Sequence, residues 1–92
     1  MTAATLGLGP GAARPPWRDA AGIHIDVRGL APPAPLVAIL RLVESVADAT
    51  PVIVHHDRDP RLLYPELAER GWGAETIPGK AGEVRLKLQR MR

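Results

Sequence analysis

Apolar and polar residues alternate without a break over residues 23–27, where Ile23, Ile25 and Val27 are separated by His24 and Asp26. A period of two marks a strand with one buried face. The isoleucines and the valine are therefore predicted to enter the core, and His24 and Asp26 to face outward. Arg28-Gly29 ends the strand. Beyond a proline cluster the period changes. Leu36, Ile39, Leu40, Val43 and then Val46 or Ala47 recur at helical spacing, with Arg41, Glu44, Ser45 and Asp48 between them. Val37 and Leu42 widen the apolar stripe, as expected of a helix packed broadly on a sheet. Proline is tolerated in the first turn of a helix, where its missing N–H would be unpaired in any case. Pro33 and Pro35 thus place the helix start near Ala34, and Thr50-Pro51 stops it.

The β-branched run Val52-Ile53-Val54 predicts a second, largely buried strand. His55-His56-Asp57-Arg58-Asp59-Pro60 reads as the connecting loop, with Asp59 as a cap for the next helix. Leu62, Leu63, Leu67 and Ala68 predict that helix, short and amphipathic, with its regular part beginning close to Tyr64. Gly71 stops it and Trp72 packs back. Residues 73–78 and 83–89 predict a closing hairpin around Gly79-Lys80-Ala81-Gly82, with Val84, Leu86 and Leu88 inward and Arg85, Lys87 and Gln89 outward. The order is β-α-β-α-β-β. Its first strand–helix–strand unit implies a right-handed parallel crossover. The expected fold is an α/β (α+β) two-layer sandwich: a four-stranded mixed sheet with both helices on one face and a polar open face.

Residues 1–22 break this patterning. Gly7, Gly9, Pro10, Gly11, Pro15 and Pro16 favour neither helix nor strand, and the segment reads as a disordered Ala/Gly/Pro-rich arm before a domain at 23–92. Trp17 is its exception, an aromatic expected to dock on the edge of its own domain or on a partner.

Composition narrows the chemistry. A chain of 92 residues is long enough for one small domain. It has no cysteine, which excludes a thiolate nucleophile, thiol redox chemistry and Cys-ligated zinc. Twelve Lys and Arg against ten Asp and Glu leave a charge of only +2, too little to imply a polyanion partner. No apolar run approaches the ~20 residues of a membrane span, and no secretory pattern opens the chain. A soluble cytoplasmic protein is the expectation. The strands lack stacking aromatics, and Glu75 and Glu83 lie near Arg85 and Lys87, which argues against nucleic acid. Gly7-Leu8-Gly9 is no dinucleotide fingerprint, because no strand precedes it.

The crossover brings the ends of the first two strands and both helix starts to one edge, where ligands bind in open parallel arrangements. Arg28, His55, His56, Asp57, Arg58 and Asp59 gather there, next to Pro32, Pro33 and Pro35. Helix starts and two arginines favour an anion or a partner's acidic side chain. The competing reading is that Arg28 and Arg58 pair with Asp26, Asp57 or Asp59 and only hold the loops. His55, His56 and Asp57 carry the right atoms for a divalent metal. Adjacent strand side chains point to opposite faces, however, so no metal site is assigned. No cofactor and no catalytic residue is assigned either; a catalyst here would need a general base, for which His56 is the candidate.

Asp26-Val27-Arg28-Gly29-Leu30, followed by Pro33-Ala34-Pro35-Leu36, resembles the turn of the TusA/SirA-like sulfur carriers, in which Arg-Gly-Leu is followed by Cys-Pro-x-Pro at the start of the first helix. Pro32 occupies the position of the cysteine. Asp59-Pro60, Leu63-Tyr64, Leu67 and Gly71-Trp72 resemble the cysteine-less relatives grouped as domain of unknown function 2249. Many of these carry His-Asp-Pro at the loop, where this chain has Arg58. The resemblance spans about residues 23–89. It implies the same two-layer fold and a non-enzymatic binding or accessory module that has lost the sulfur-accepting cysteine, in a redox or nitrogen-oxide respiration setting, with another protein as partner. The alternative is a small anion- or metal-dependent catalyst using residues 55–59.

Overall fold

A computed structural model describes residues 15–91. The expectation of a disordered arm therefore lies, for residues 1–14, outside the described residues. Seven elements occur in order: β1 (Trp17–Asp19), β2 (Gly22–Asp26), α1 (Ala34–Ser45), β3 (Val52–His56), α2 (Leu63–Glu69), β4 (Trp72–Ile77) and β5 (Val84–Arg90). The sheet has five strands in the order β1-β2-β3-β5-β4. Only the β2/β3 pair, joined through α1, is parallel.

The expected four-stranded sheet is thus extended by β1, which falls within the segment read as an arm. Three residues between prolines and Ala20-Ala21-Gly22 are too few to show a period. What makes them a strand is pairing, with Trp17 opposite His24 and Asp19 opposite Gly22. The tight return is braced by the Ala21 N–H donating to Asp19 Oδ1 at 2.8 Å. Gly22 has φ +140°, and a Cβ there would stand 2.3 Å from the Pro51 carbonyl oxygen, which accepts the Ile23 N–H at 3.0 Å.

Strand alternation then sorts the side chains. Ile23, Ile25, Val52, Val54, Leu86 and Leu88 form one sheet face and pack in a single cluster with Ile39 and Val43 of α1 and Leu63 and Leu67 of α2. Both helices therefore cover that face. Each such aliphatic side chain contributes about 1.5–3 kcal/mol on burial. In α1, Pro35, Ile39 and Val43 are buried, while Leu36 and Leu40 are half-buried at the margin and Val37 is exposed. Leu62, expected on the apolar face, is 76 % exposed. α2 starts at Leu63, next to the expected Tyr64 and after Leu62, and its seven residues turn only Leu63 and Leu67 inward.

Helix ends are secured without side-chain N-caps. Arg90 spans from β5 to the end of α1, donating through Nη2 to the Val46 carbonyl at 2.7 Å and lying over the Trp72 ring. Arg70 ties the helices together, pairing with Glu44 of α1 at 2.7 Å and Glu66 of α2 at 2.9 Å. Asp59 does not cap α2. It accepts the Tyr64 hydroxyl at 2.5 Å, and burial together with this carboxylate pushes the phenol up to about 12. No helix among the described residues is long and apolar enough to cross a membrane.

Candidate functional site

The residues expected at one edge occupy two surfaces. His55 and His56 are not in a loop but are the last residues of β3. Because successive strand residues face opposite ways, His55 joins the uncovered sheet face and His56 the helix side.

On the helix side, a groove of about 310 Å³ opens between the proline turn and the start of α2. Leu30, Pro32, Pro33, Pro35, Leu36, Leu62 and Leu63 make its walls, and His56, Arg58, Asp59 and Arg61 border it. The Pro32–Pro33 peptide is cis. Prolines have no N–H to offer, so this wall presents apolar surface and carbonyl oxygens. Asp57 braces the turn from β3, with Oδ2 accepting the Gly29 N–H at 3.0 Å. That bond, with Arg58 alongside, outweighs burial and holds the Asp57 carboxyl below the usual range. The His56 ring is 97 % covered, and its Nδ1 accepts the backbone N–H of Asp57 at 2.9 Å and of Arg58 at 3.4 Å. A backbone N–H can only donate, so Nδ1 is an acceptor. The nearby Asp57 Oδ1, at 3.1 Å, is a neighbour and not its proton acceptor. In the neutral ring the proton is then on Nε2. His56 presents a donor, and the lone pair a general base would use is already engaged.

Arg28 is not in the groove. It pairs with Asp26, Nε to Oδ1 at 2.9 Å and Nη2 to Oδ2 at 2.8 Å. This carboxylate raises its guanidinium pKa. Arg58 pairs with Asp57 at 3.3 Å. Each arginine thus has a carboxylate close in sequence as its partner, Asp26 for Arg28 and Asp57 for Arg58.

The uncovered face is neither wholly polar nor fully hydrated. Trp17 stacks on His24 and on His55, with ring centroids 5.0 and 5.5 Å away, and the two imidazoles stack on each other at 5.1 Å. His24 and His55 are each only 8 % exposed. The rings join end to end, His24 Nδ1 to His55 Nε2 at 2.8 Å, and His55 Nδ1 reaches Glu83 Oε2 at 2.5 Å. At the other end His24 Nε2 lies 2.8 Å from Asp19 Oδ1, a close contact whose N–H direction is off the line of a hydrogen bond. The run His24–His55–Glu83 therefore has two hydrogen bonds, which two neutral imidazoles supply with one ring proton each. Burial pushes the Glu83 carboxyl up. Hydrogen bonds from Arg85, the Lys80 backbone N–H and His55 overcome it and leave it at about 2.

Beside this chain is a pocket of about 130 Å³ lined by Trp17, Arg28, His55, Lys80, Glu83 and Arg85. Of these, Arg28 and His55 are sequence-identified site residues. Trp17 stands out in sequence only as a lone aromatic, and Arg85 only as an outward strand position. Glu83 stands out in sequence only as a charge near Arg85, and Lys80 only as a turn residue, because hairpin geometry brings them here. Among the described residues, no three or more His, Asp or Glu groups converge as metal ligands.

The sequence also matches a family. The model of the family described as uncharacterized conserved protein (DUF2249) covers residues 24–90. No curated protein matches the chain.

Proposed function

The chain belongs to the DUF2249 family, and from that premise we propose that it is a non-enzymatic binding or accessory module whose docking surface is the proline groove. The observation that carries this reading is the chemistry of the groove: an open apolar trough with prolines on one wall and Leu62, 76 % exposed, on the other. Covering such apolar surface with an apolar segment of a partner is favourable, and charged side chains beside it can orient that segment. The Arg58 and Arg61 side chains, 60 % and 89 % exposed, are the charges beside this groove. The occupant proposed is a short apolar segment of another protein, flanked by acidic residues. The resemblance to the sulfur carriers supports the same place. A module that kept the turn but has Pro32 for the reactive cysteine retains a docking surface and carries no persulfide. The resemblance to the cysteine-less relatives adds a redox or nitrogen-oxide respiration setting to the proposal. The alternative, an anion- or metal-dependent catalyst at residues 55–59, fits less well: His55 and His56 open on opposite faces, and His56 Nδ1 is taken by backbone N–H groups.

The test is site-directed. A photo-crosslinking residue replacing Leu62, compared with one replacing Lys87 on the other face, identifies what contacts the groove in cells. The purified crosslinked protein is then titrated against the wild type and Leu62→Glu. The expected result is a partner found from position 62 alone, bound at least about tenfold more weakly by the folded variant, as for loss of an interface anchor. Equal binding by L62E overturns the assignment.

A further inference from the structure

We propose that the pocket on the uncovered sheet face, bounded by Trp17, Arg28, Lys80 and Arg85, is a binding site for a small oxyanion. It lies across the sheet from the proline groove and does not depend on what docks there.

The hydrogen bonds around the pocket leave donors over and acceptors spent. Arg28 gives its Nε and one Nη2 proton to Asp26, and Arg85 gives the same two nitrogens to Glu83. In both guanidinium groups the Nη1 protons are not used by these pairs. Lys80 contributes its backbone N–H to Glu83 Oε1 at 2.8 Å, which fixes the hairpin over the pocket. Its ammonium makes no hydrogen bond or ion pair among the described residues. The acceptors are already occupied. Glu83 Oε1 takes Lys80 N and Arg85 Nη2, while Oε2 takes His55 Nδ1 and Arg85 Nε. A carboxylate in the lining would repel an anion if it were unpaired, but this one is surrounded by its own donors, with its side chain only 2 % exposed.

Three cations therefore line the site against two carboxylates, Asp26 and Glu83, each held in a bidentate pair. Unspent guanidinium and ammonium protons on a recessed, aromatic-walled surface are the donor set for carboxylate and phosphate oxygens. A cleft of one sign with low-dielectric walls concentrates its counter-ion. The pocket is small, about 130 Å³, and suits a single phosphate or carboxylate group seated among the three cations. Trp17 and His55 make one wall, so the ligand would be read out by the indole.

The experiment titrates isotope-labelled full chain with inorganic phosphate, and separately with acetate, against sodium chloride of equal ionic strength at neutral pH. It follows the two tryptophan indole N–H signals. The expected result is saturable movement of the Trp17 signal with phosphate or acetate, with the Trp72 signal, buried on the opposite face, unmoved. Lys80→Gln removes an ammonium with no partner among the described residues, so the variant should fold normally and bind at least about fivefold more weakly, the scale of one charge-assisted hydrogen bond. Movement that chloride reproduces, that fails to saturate, or that persists unchanged in K80Q overturns the proposal.

Discussion

His55 Nδ1 and Glu83 Oε2 are 2.5 Å apart, joining the end of β3 to the hairpin that precedes β5, with the Glu83 side chain only 2 % exposed. Glu83 is depressed from an ordinary 4.5 to about 2, burial opposing and the Arg85, Lys80 and His55 contacts prevailing. A carboxyl with a lowered folded-state pKa contributes stability that is complete above its unfolded value and is lost as pH falls through its folded value. Stability should therefore decline between about pH 4.5 and 2. The contribution is on the order of 2 kcal/mol after allowance for solvent screening. Denaturant unfolding across that range should show a shallower slope for Glu83→Gln, which should also be less stable than wild type at neutral pH.

Trp17 is structural as well as a wall of the pocket. Its ring covers both imidazoles. Trp17→Ala should cost about 1–3 kcal/mol, less than a fully buried tryptophan because the side chain is at an edge. Hydrogen exchange at His24, which pairs with Trp17, should accelerate in the same variant, while Ile23, whose N–H is bonded to the Pro51 carbonyl, should not. A cost below ~0.5 kcal/mol would mean that β1 is an ornament of the sheet.

In α1 the core is centred on Ile39, which is fully buried, while Leu40 is half-buried. Ile39→Ala should lose ~2–5 kcal/mol and Leu40→Ala distinctly less. Equal losses in equilibrium unfolding would indicate a helix rotated by most of a residue from the arrangement described.

Gly22 tests close approach. Alanine there would bring Cβ against the Pro51 carbonyl and would also have to keep φ at +140°. Gly22→Ala should cost at least about 1–3 kcal/mol, through separation of β2 from the segment before β3. Gly29, with φ +83° and open space around its Cβ direction, should be penalised for its backbone angle alone. Chemical denaturation of the two variants side by side separates steric clash from strain.

The six elements from β2 to β5 were legible in the chain itself. Unbroken alternation at 23–27, the helical spacing from Leu36 to Val46, the β-branched run at 52–54 and the glycine at 71 each declare a local period or a stop, and local periods are set by which face meets the core. Pro33 and Pro35 likewise located the start of α1 at Ala34. The absence of cysteine settled, without any structure, that no thiol chemistry occurs on this chain. Tertiary structure alone decided the rest. β1 is too short to carry a period and exists because Trp17 finds two imidazoles to stack on. His24 alternates as a solvent-facing residue should, yet is covered by a side chain seven positions earlier. His55 and His56, adjacent in sequence, are separated by the sheet, so one expected edge became an apolar groove and a cationic pocket. Glu83 and Lys80 enter that pocket because a hairpin return sets its residues against the end of a strand distant in sequence, a juxtaposition that no local pattern encodes.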